Sequence, residues 1–402
     1  MYSFTAWGEE LTLSSAVSLA MEHAPAMKAI EAERDASEQD YYIARSGLLP
    51  RIDITVSHQR RKQRTRYDQP RTIFEPNLKY HDTTAALRMV QPLFNLERWA
   101  GYRQGEISAE TGEMKLRLER QRLILEVAQA YLKAVTAQSA LHAASAKEEA
   151  AEKLAAQAQA KFEAGVSPIN DQLDADARRD LARAEKLDSE NNFDQAKAKL
   201  ASLAGVMPKI VLAPLISGSI STPAQEDLED WELQAVENSL SVKLARLQFN
   251  AAEQGELKAW GSGLPNVELF ASLDRNRATS GQLGTGTRTR NYAVGVQVSV
   301  PLFAGGGDLA QLRKSKMLSI QAEYSLQDDI RLARLTARQA FLGYSSAISK
   351  LHAMRKSITS TEEAANAARM GHQVGLRTIS EVLDADERIL WQRRTWPMQK
   401  LS

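Results

Sequence analysis

The chain has 402 residues, with 51 Lys and Arg against 50 Asp and Glu, no cysteine and few aromatic residues. So even a charge balance leaves no field to hold nucleic acid, and the lack of cysteine rules out a disulfide framework or a thiolate metal site while suiting any compartment. No run approaches the roughly 18 to 20 apolar residues of a membrane helix, since the nearest, around Ile210 to Ile220, is broken by Pro214; a helical span is excluded but a β-barrel is not.

Met1-Tyr-Ser-Phe-Thr5 lacks the basic start and apolar core of an export signal, so any such signal is expected to have been removed before this chain begins. Leu13 to Gly47 reads as helix, with Val17, Met21, Met27 and Ile30 apolar and a break at Pro25. After Pro50 the period changes. Ile52, Ile54 and Val56 alternate with Asp53, Thr55 and Ser57, which predicts a strand over about 51–66 with one apolar face, and a second strand is predicted over about 80–94. Pro50 and Pro92 fall at strand ends, where a missing donor costs least. The Arg-rich stretch from Arg60 to Arg71 is either a contact for lipopolysaccharide phosphates or a solvated loop.

A proline-free helix is predicted over about 96–164, roughly 100 Å long at 1.5 Å per residue. Its Leu123, Val127, Ala130, Ala134, Ala137, Leu141 and Ala144 step by four and three alternately, a heptad seam whose alanines imply close helix packing. Gly165 stops this helix, and Ser167-Pro168 restarts the chain into an antiparallel return helix over about 167–204.

The second half says the same thing again. Val267, Leu269, Ala271 and Leu273 share one face of a strand over about 265–277, and Tyr292, Val294, Val296, Val298 and Val300 share one face of its partner over about 288–303. A long helix over about 307–373 carries the seam Ala333, Ala337, Ala340, Tyr344, Ala347, Leu351 and Met354; Gly375 stops it, and Arg377-Thr378 opens a return helix over about 377–402. Phe162 to Asp176 returns without a gap as His372 to Asp386, about 210 residues later, both ending in Leu-Asp-Ala-Asp. Residues 1–210 and 211–402 therefore read as two copies of one unit. At that offset the second return helix would run past residue 402, so the C-terminal end is expected to be incomplete. Four strands are too few to close a barrel, which needs about eight, so the open edges ask for an oligomer.

These duplicated marks resemble those of the TolC family of outer-membrane channel proteins. The motifs that carry the likeness are Gly165 to Asp174 and Gly375 to Asp384, the Leu49-Pro50 and Leu264-Pro265 strand openings, and the Pro-Leu-Phe words ending at Phe94 and Phe303. The resemblance implies an α+β membrane protein: a homotrimer whose four strands per protomer make a twelve-stranded transmembrane β-barrel among the outer-membrane lipid, continued by a long antiparallel helical barrel in the periplasm. It further implies a duct for type I protein secretion, working with a periplasmic adaptor and an inner-membrane transporter of the ABC type. The outer-membrane component of a multidrug efflux pump is the alternative, and a non-channel coiled-coil scaffold or adaptor a third reading.

By the same resemblance the helix-turn tips, marked by Gly165, Pro168, Gly375 and Thr378, form the periplasmic entrance. Asn170, Asp171, His372 and Arg377 would make its gate, with Arg377 pairing with Asp171 of a neighbouring helix pair or protomer. His372 stands where a family member carries a tyrosine, so it is either a pH-sensitive contact or a surface residue beside a turn. Glu381 and Asp384 would form acidic rings, which favour cations once threefold symmetry repeats them.

Asp174, Asp176, Asp384 and Asp386 are also readable as no more than first-turn helix acids favoured by the macrodipole, and His142 and His352 as packing residues rather than metal ligands. The chain has no P-loop, no His-Glu-x-x-His and no nucleophile elbow, and Gly305-Gly-Gly307 lacks the spacing of a dinucleotide turn. The expectation is a protein without catalysis, cofactor or metal.

Overall fold

A computed structural model describes residues 10–64, 77–205, 211–213, 227–279, 285–374, 376, 381, 385 and 388–389. The chain divides into two compact units, one of residues 1–31, 116–237 and 333–402, the other of 32–115 and 238–332.

In the second unit lies a single antiparallel sheet in the order β1 (Arg51–Arg64), β2 (Asn77–Phe94), β3 (Asn266–Ala278) and β4 (Thr287–Ser299). The sequence reads as two hairpins; the β2–β3 ladder, with Met89 opposite Ala271, joins them into one surface. Pro50 and Pro265 directly precede β1 and β3, while β2 runs past Pro92 through an irregularity between Pro92 and Phe94. The fourth strand does not behave the same way. It stops at Ser299, short of Pro301, because a proline has no N–H to continue the ladder, and residues 300–304 are irregular.

Helix α2 (Pro25–Ser46) begins on the proline that ends α1 (Leu13–His23), since Pro fits the first helical position and cannot extend a preceding helix. The equivalent break between α5 (Leu228–Asn238) and α6 (Leu240–Gly261) has no proline. There Ser239 adopts a non-helical backbone and its hydroxyl accepts from the Val242 N–H, capping the new helix. Helix α2 packs against the start of α3 (Leu96–Glu163), tied by Ser108 Oγ donating to Asp40 at 2.7 Å and by Lys115 to Glu33 at 2.6 Å.

In the first unit α3 turns into α4 (Ile169–Ala204), which runs back beside it. Lys147 meets Glu185 at 3.1 Å, Lys186 meets Glu148 at 2.8 Å and Lys199 meets Glu126 at 3.1 Å. The seam beneath these ion pairs holds small residues. Ala175, Ala182, Ser189 and Ala196 of α4 are buried at strict seven-residue spacing, the repeat that imposes a left-handed supercoil. A core of Ala16, Ala20, Met27, Leu116, Val127 and Leu200 lies where α1 and the start of α2 meet α3 and α4.

Tyr131, 2% exposed, sends its hydroxyl toward the carbonyls of Leu11 (3.1 Å) and Ala213 (2.9 Å), beside a short parallel bridge between Leu11 and Leu212. Helix α7 (Gly307–Gln373) holds Trp231 of α5 against Phe341 and Tyr344 and pairs Arg338 with Glu232 at 2.7 Å. Its seam holds Ala337, Tyr344, Leu351, Ile358 and Ala365; the predicted members Ala340 and Ala347 are exposed, because the in-between positions of the stripe fall one residue later, on the half-buried Phe341 and Ile348. Among the described residues no helix is long and apolar enough to cross a membrane.

Candidate functional site

Register sorts the sheet into two chemically distinct faces. Ile54, Leu87, Leu273 and Tyr292 stand side by side across the four strands, as do Ile52, Met89, Ala271 and Val294. Each row is apolar from edge to edge. The rows between them point the other way and are mainly polar, for example Asp53, Arg88, Ser272 and Ala293, then Thr55, Ala86, Asp274 and Asn291. The apolar rows are open to the surroundings in the single chain, with Ile54 75% and Val294 78% exposed. A water-facing sheet does not leave such a surface bare, whereas a lipid-facing one requires it. The β-sheet edges are likewise unpaired among the described residues, β1 at one side and β4 at the other.

In the helical hairpin, the turn from α3 to α4 closes on Gly165, whose φ of 71° only glycine adopts without strain. The Gly165 N–H donates to the Phe162 carbonyl at 2.8 Å and the Val166 N–H to that of Lys161 at 2.9 Å, the paired bonds that satisfy a helix C-terminus. In the second turn the Leu376 N–H donates to the Gly371 carbonyl at 2.8 Å, across the same five-residue span. Both turns therefore display an apolar residue at the tip, Val166 and Leu376, at 76% and 83% exposure.

Residues 16–206 and again 233–400 match the model of the outer membrane efflux protein family. The chain belongs to that family. It is similar to the alkaline protease secretion protein AprF of Pseudomonas aeruginosa, at 28% identity over 381 residues that cover 92% of this chain and 77% of that protein. Outer membrane protein TolC of Escherichia coli is 27% identical over 372 residues, 90% of this chain and 73% of that protein. The fold matches the crystal structure of outer membrane protein VceC from Vibrio cholerae with a TM-score of 0.76, at 18% identity and covering 95% of this chain and 90% of that one. Membership places this efflux-family protein in the outer membrane as a transport component and not an enzyme.

Within this family member the predicted gate residues are placed unequally. Asn170 and Asp171 lie exposed in the first turn of α4, just beyond Pro168, and Asp171 has no ion-pair partner among the described residues. An acid at that position is favoured by the helix N-terminus whatever else it meets. His372 belongs to the last turn of α7, its side chain lying outside the described residues, as do Gly375, Arg377, Thr378, Asp384 and Asp386 entirely. Glu381 is helical and exposed. Asp174 and Asp176 bind within their own helix, to Arg178 at 3.1 Å and Arg179 at 2.8 Å, and both lie beyond its first turn, where Asp171 is the acid. His142 and His352 are both exposed, and no group of metal-binding side chains occurs among the described residues.

What sequence reasoning missed is the organisation of cations on the sheet. Beyond the apolar rows, toward the hairpin ends, Arg275 faces Arg290 and Arg277 faces Arg288 across the β3–β4 ladder. Parity along each strand was available as a signal, but which cations stand opposite one another depends on register.

Proposed function

We propose that this chain is the outer-membrane exit duct of a type I protein secretion system. Three copies contribute four strands each to a twelve-stranded barrel, and the paired helices continue the duct through the periplasm to an adaptor and an ABC-type inner-membrane transporter. The observation that carries this reading is the sheet: one face apolar in complete rows, the other polar, and two free edges that three protomers can join in a ring. From Tyr292 to Val300, just past β4, the apolar face runs about 27 Å along the strand direction at ~3.4 Å per residue, and a tilt of ~40° turns that into about 20 Å of height, close to the ~25 Å lipid band of such barrels. The polar face then lines the lumen. Residues 1–210 and 211–402 are two copies of one unit in this reading, which gives the three-membered ring a sixfold-like lining.

Similarity to AprF, whose name assigns it to protease secretion, favours a polypeptide cargo. The efflux description of the family favours small molecules instead, and a pump component is the second reading. Deleting the gene decides between them. Retention of a secreted protein in the cell with unchanged drug susceptibility is the expected result; full secretion with raised susceptibility would shift the assignment to efflux. Purified in detergent, the protein is expected to run as a heat-modifiable trimer and to conduct in planar bilayers, and a monomer without conductance would overturn the duct itself.

A further inference from the structure

We infer that the hairpin-ward end of the sheet's apolar face is a docking belt for the phosphate groups of lipid headgroups. The inference rests on the duct reading above, and its foundation is the register. Four successive cross-strand partners on one face are like-charged or both basic: Arg60 with His81, Lys62 with Lys79, Arg275 with Arg290, and Arg277 with Arg288. Residues directly opposite in an antiparallel pair have Cβ atoms only about 5 Å apart, and like charges there destabilise the sheet unless an anion lies between them. None of the arginines or lysines in these pairs has an ion-pair partner among the described residues, and all are exposed.

The acids of the strands cannot neutralise them. Asp53, Asp82, Glu268 and Asp274 all fall on the opposite face, where Asp53 meets Arg51 and Asp82 meets Arg61, each at 3.1 Å. Charge is therefore segregated by face, with carboxylates on the polar side and uncompensated cations on the apolar side. The cations also continue the apolar rows directly. Arg290 precedes Tyr292 by two residues and Arg275 follows Leu273 by two, so the belt begins where the lipid-facing surface ends, with Tyr292 at the border as interfacial aromatics are placed. The strand ends that carry the belt are those remote from the helices, since β1, β2, β3 and β4 join α2, α3, α6 and α7 at their other ends. With the helices in the periplasm, the belt lies at the outer leaflet, against a lipid whose headgroup carries phosphates. Paired guanidiniums suit that ligand because each presents a planar fork to phosphate oxygens.

The test uses the full-length protein, extracted in detergent and exchanged into bilayer discs of phosphatidylethanolamine with either bis-phosphorylated or dephosphorylated lipid A, with lipid retained on the trimer counted by native mass spectrometry. Replacing Arg275, Arg277, Arg288 and Arg290 together by glutamine is expected to lower retention of bis-phosphorylated lipid A by about tenfold or more. The four-lysine variant is expected to keep most of it, and Arg88→Gln on the polar face to keep all of it. Inorganic phosphate in excess is expected to leave the lipid bound. Equal retention by the glutamine variant, equal retention of dephosphorylated lipid A, or full displacement by inorganic phosphate would each overturn the belt. Trimer formation and conductance are measured on the same samples. If these persist while lipid retention is insensitive to charge, the belt falls alone; if wild type lacks both, the duct reading falls first.

Discussion

Gly105 of α3 meets Ala44 of α2 so closely that a Cβ placed on the glycine would stand 2.5 Å from the alanine's Cβ and 2.9 Å from the Asp40 carbonyl oxygen. Neither neighbour is the loose end of a flexible side chain, so the helices themselves must part. Gly105→Ala would raise helix propensity by up to about 1 kcal/mol in isolation, yet the overlap is expected to make it destabilising by roughly 1–3 kcal/mol. Thermal loss of helical circular dichroism measures the outcome. A midpoint equal to or above wild type would show that α2 and α3 are not packed at this distance.

The Tyr131 hydroxyl carries a second prediction. Burial raises its pKa, and its proton is directed at two backbone carbonyls, so Tyr131→Phe leaves those acceptors with fewer partners while preserving the ring. A cost of about 1–2 kcal/mol follows. Its location is more informative than its size. Hydrogen exchange should quicken at the amides of Leu11 and Ala213, which bond to Val211 and Leu11 across the bridge, while amides along α4 stay unchanged.

Acid sensitivity is expected around Glu106. Its carboxyl is held below the ordinary 4.5, first by the hydrogen bond from Tyr102 and also by Arg103, which donates at 2.8 Å. A group whose folded pKa is depressed stabilises the fold above its unfolded value and loses that contribution as pH falls through the folded one. Wild type should therefore lose stability relative to Glu106→Gln as pH drops below about 4.5. If the gap between the two proteins stays constant from pH 7 to pH 3, Glu106 is not part of the acid response.

The proposed gate is tested by Arg377→Ser and Asp171→Asn. Each is expected to raise single-channel conductance roughly two- to several-fold, and the double variant to add little more, since both remove one contact. Additive increases would mean that the residues act separately, and an unchanged closed state would remove them from the mechanism.

The strands were legible because period two is a local mark: Ile52, Ile54 and Val56 against Asp53, Thr55 and Ser57 need no knowledge of a partner. The turn at Gly165 was legible for a similar reason, since a long helical seam followed by glycine and then Ser-Pro can hardly continue. The pairing of β2 with β3 leaves no such mark, because Met89 and Ala271 come together only through chain-distant folding. The break at Ser239 escaped notice for want of a proline, and the early end of β4 because Pro92 and Pro301 look alike in sequence while only the former is absorbed by an irregular ladder. At the candidate site, the first tip was legible from Gly165 and Pro168, and Asn170 and Asp171 lie exposed just beyond it. Their proposed contacts depend on other protomers, which no pattern within one chain specifies.

The buried small residues of α4 also limit how this chain can change in length. One residue inserted between Ala175 and Ala196 would turn everything beyond it by about 100° and bring charged side chains into the seam, whereas seven residues, matched by seven in α3, would restore the same face. Deletions and duplications in the helical hairpin are therefore tolerated only in whole heptads, so its reach is set in steps of about 10 Å and cannot drift continuously.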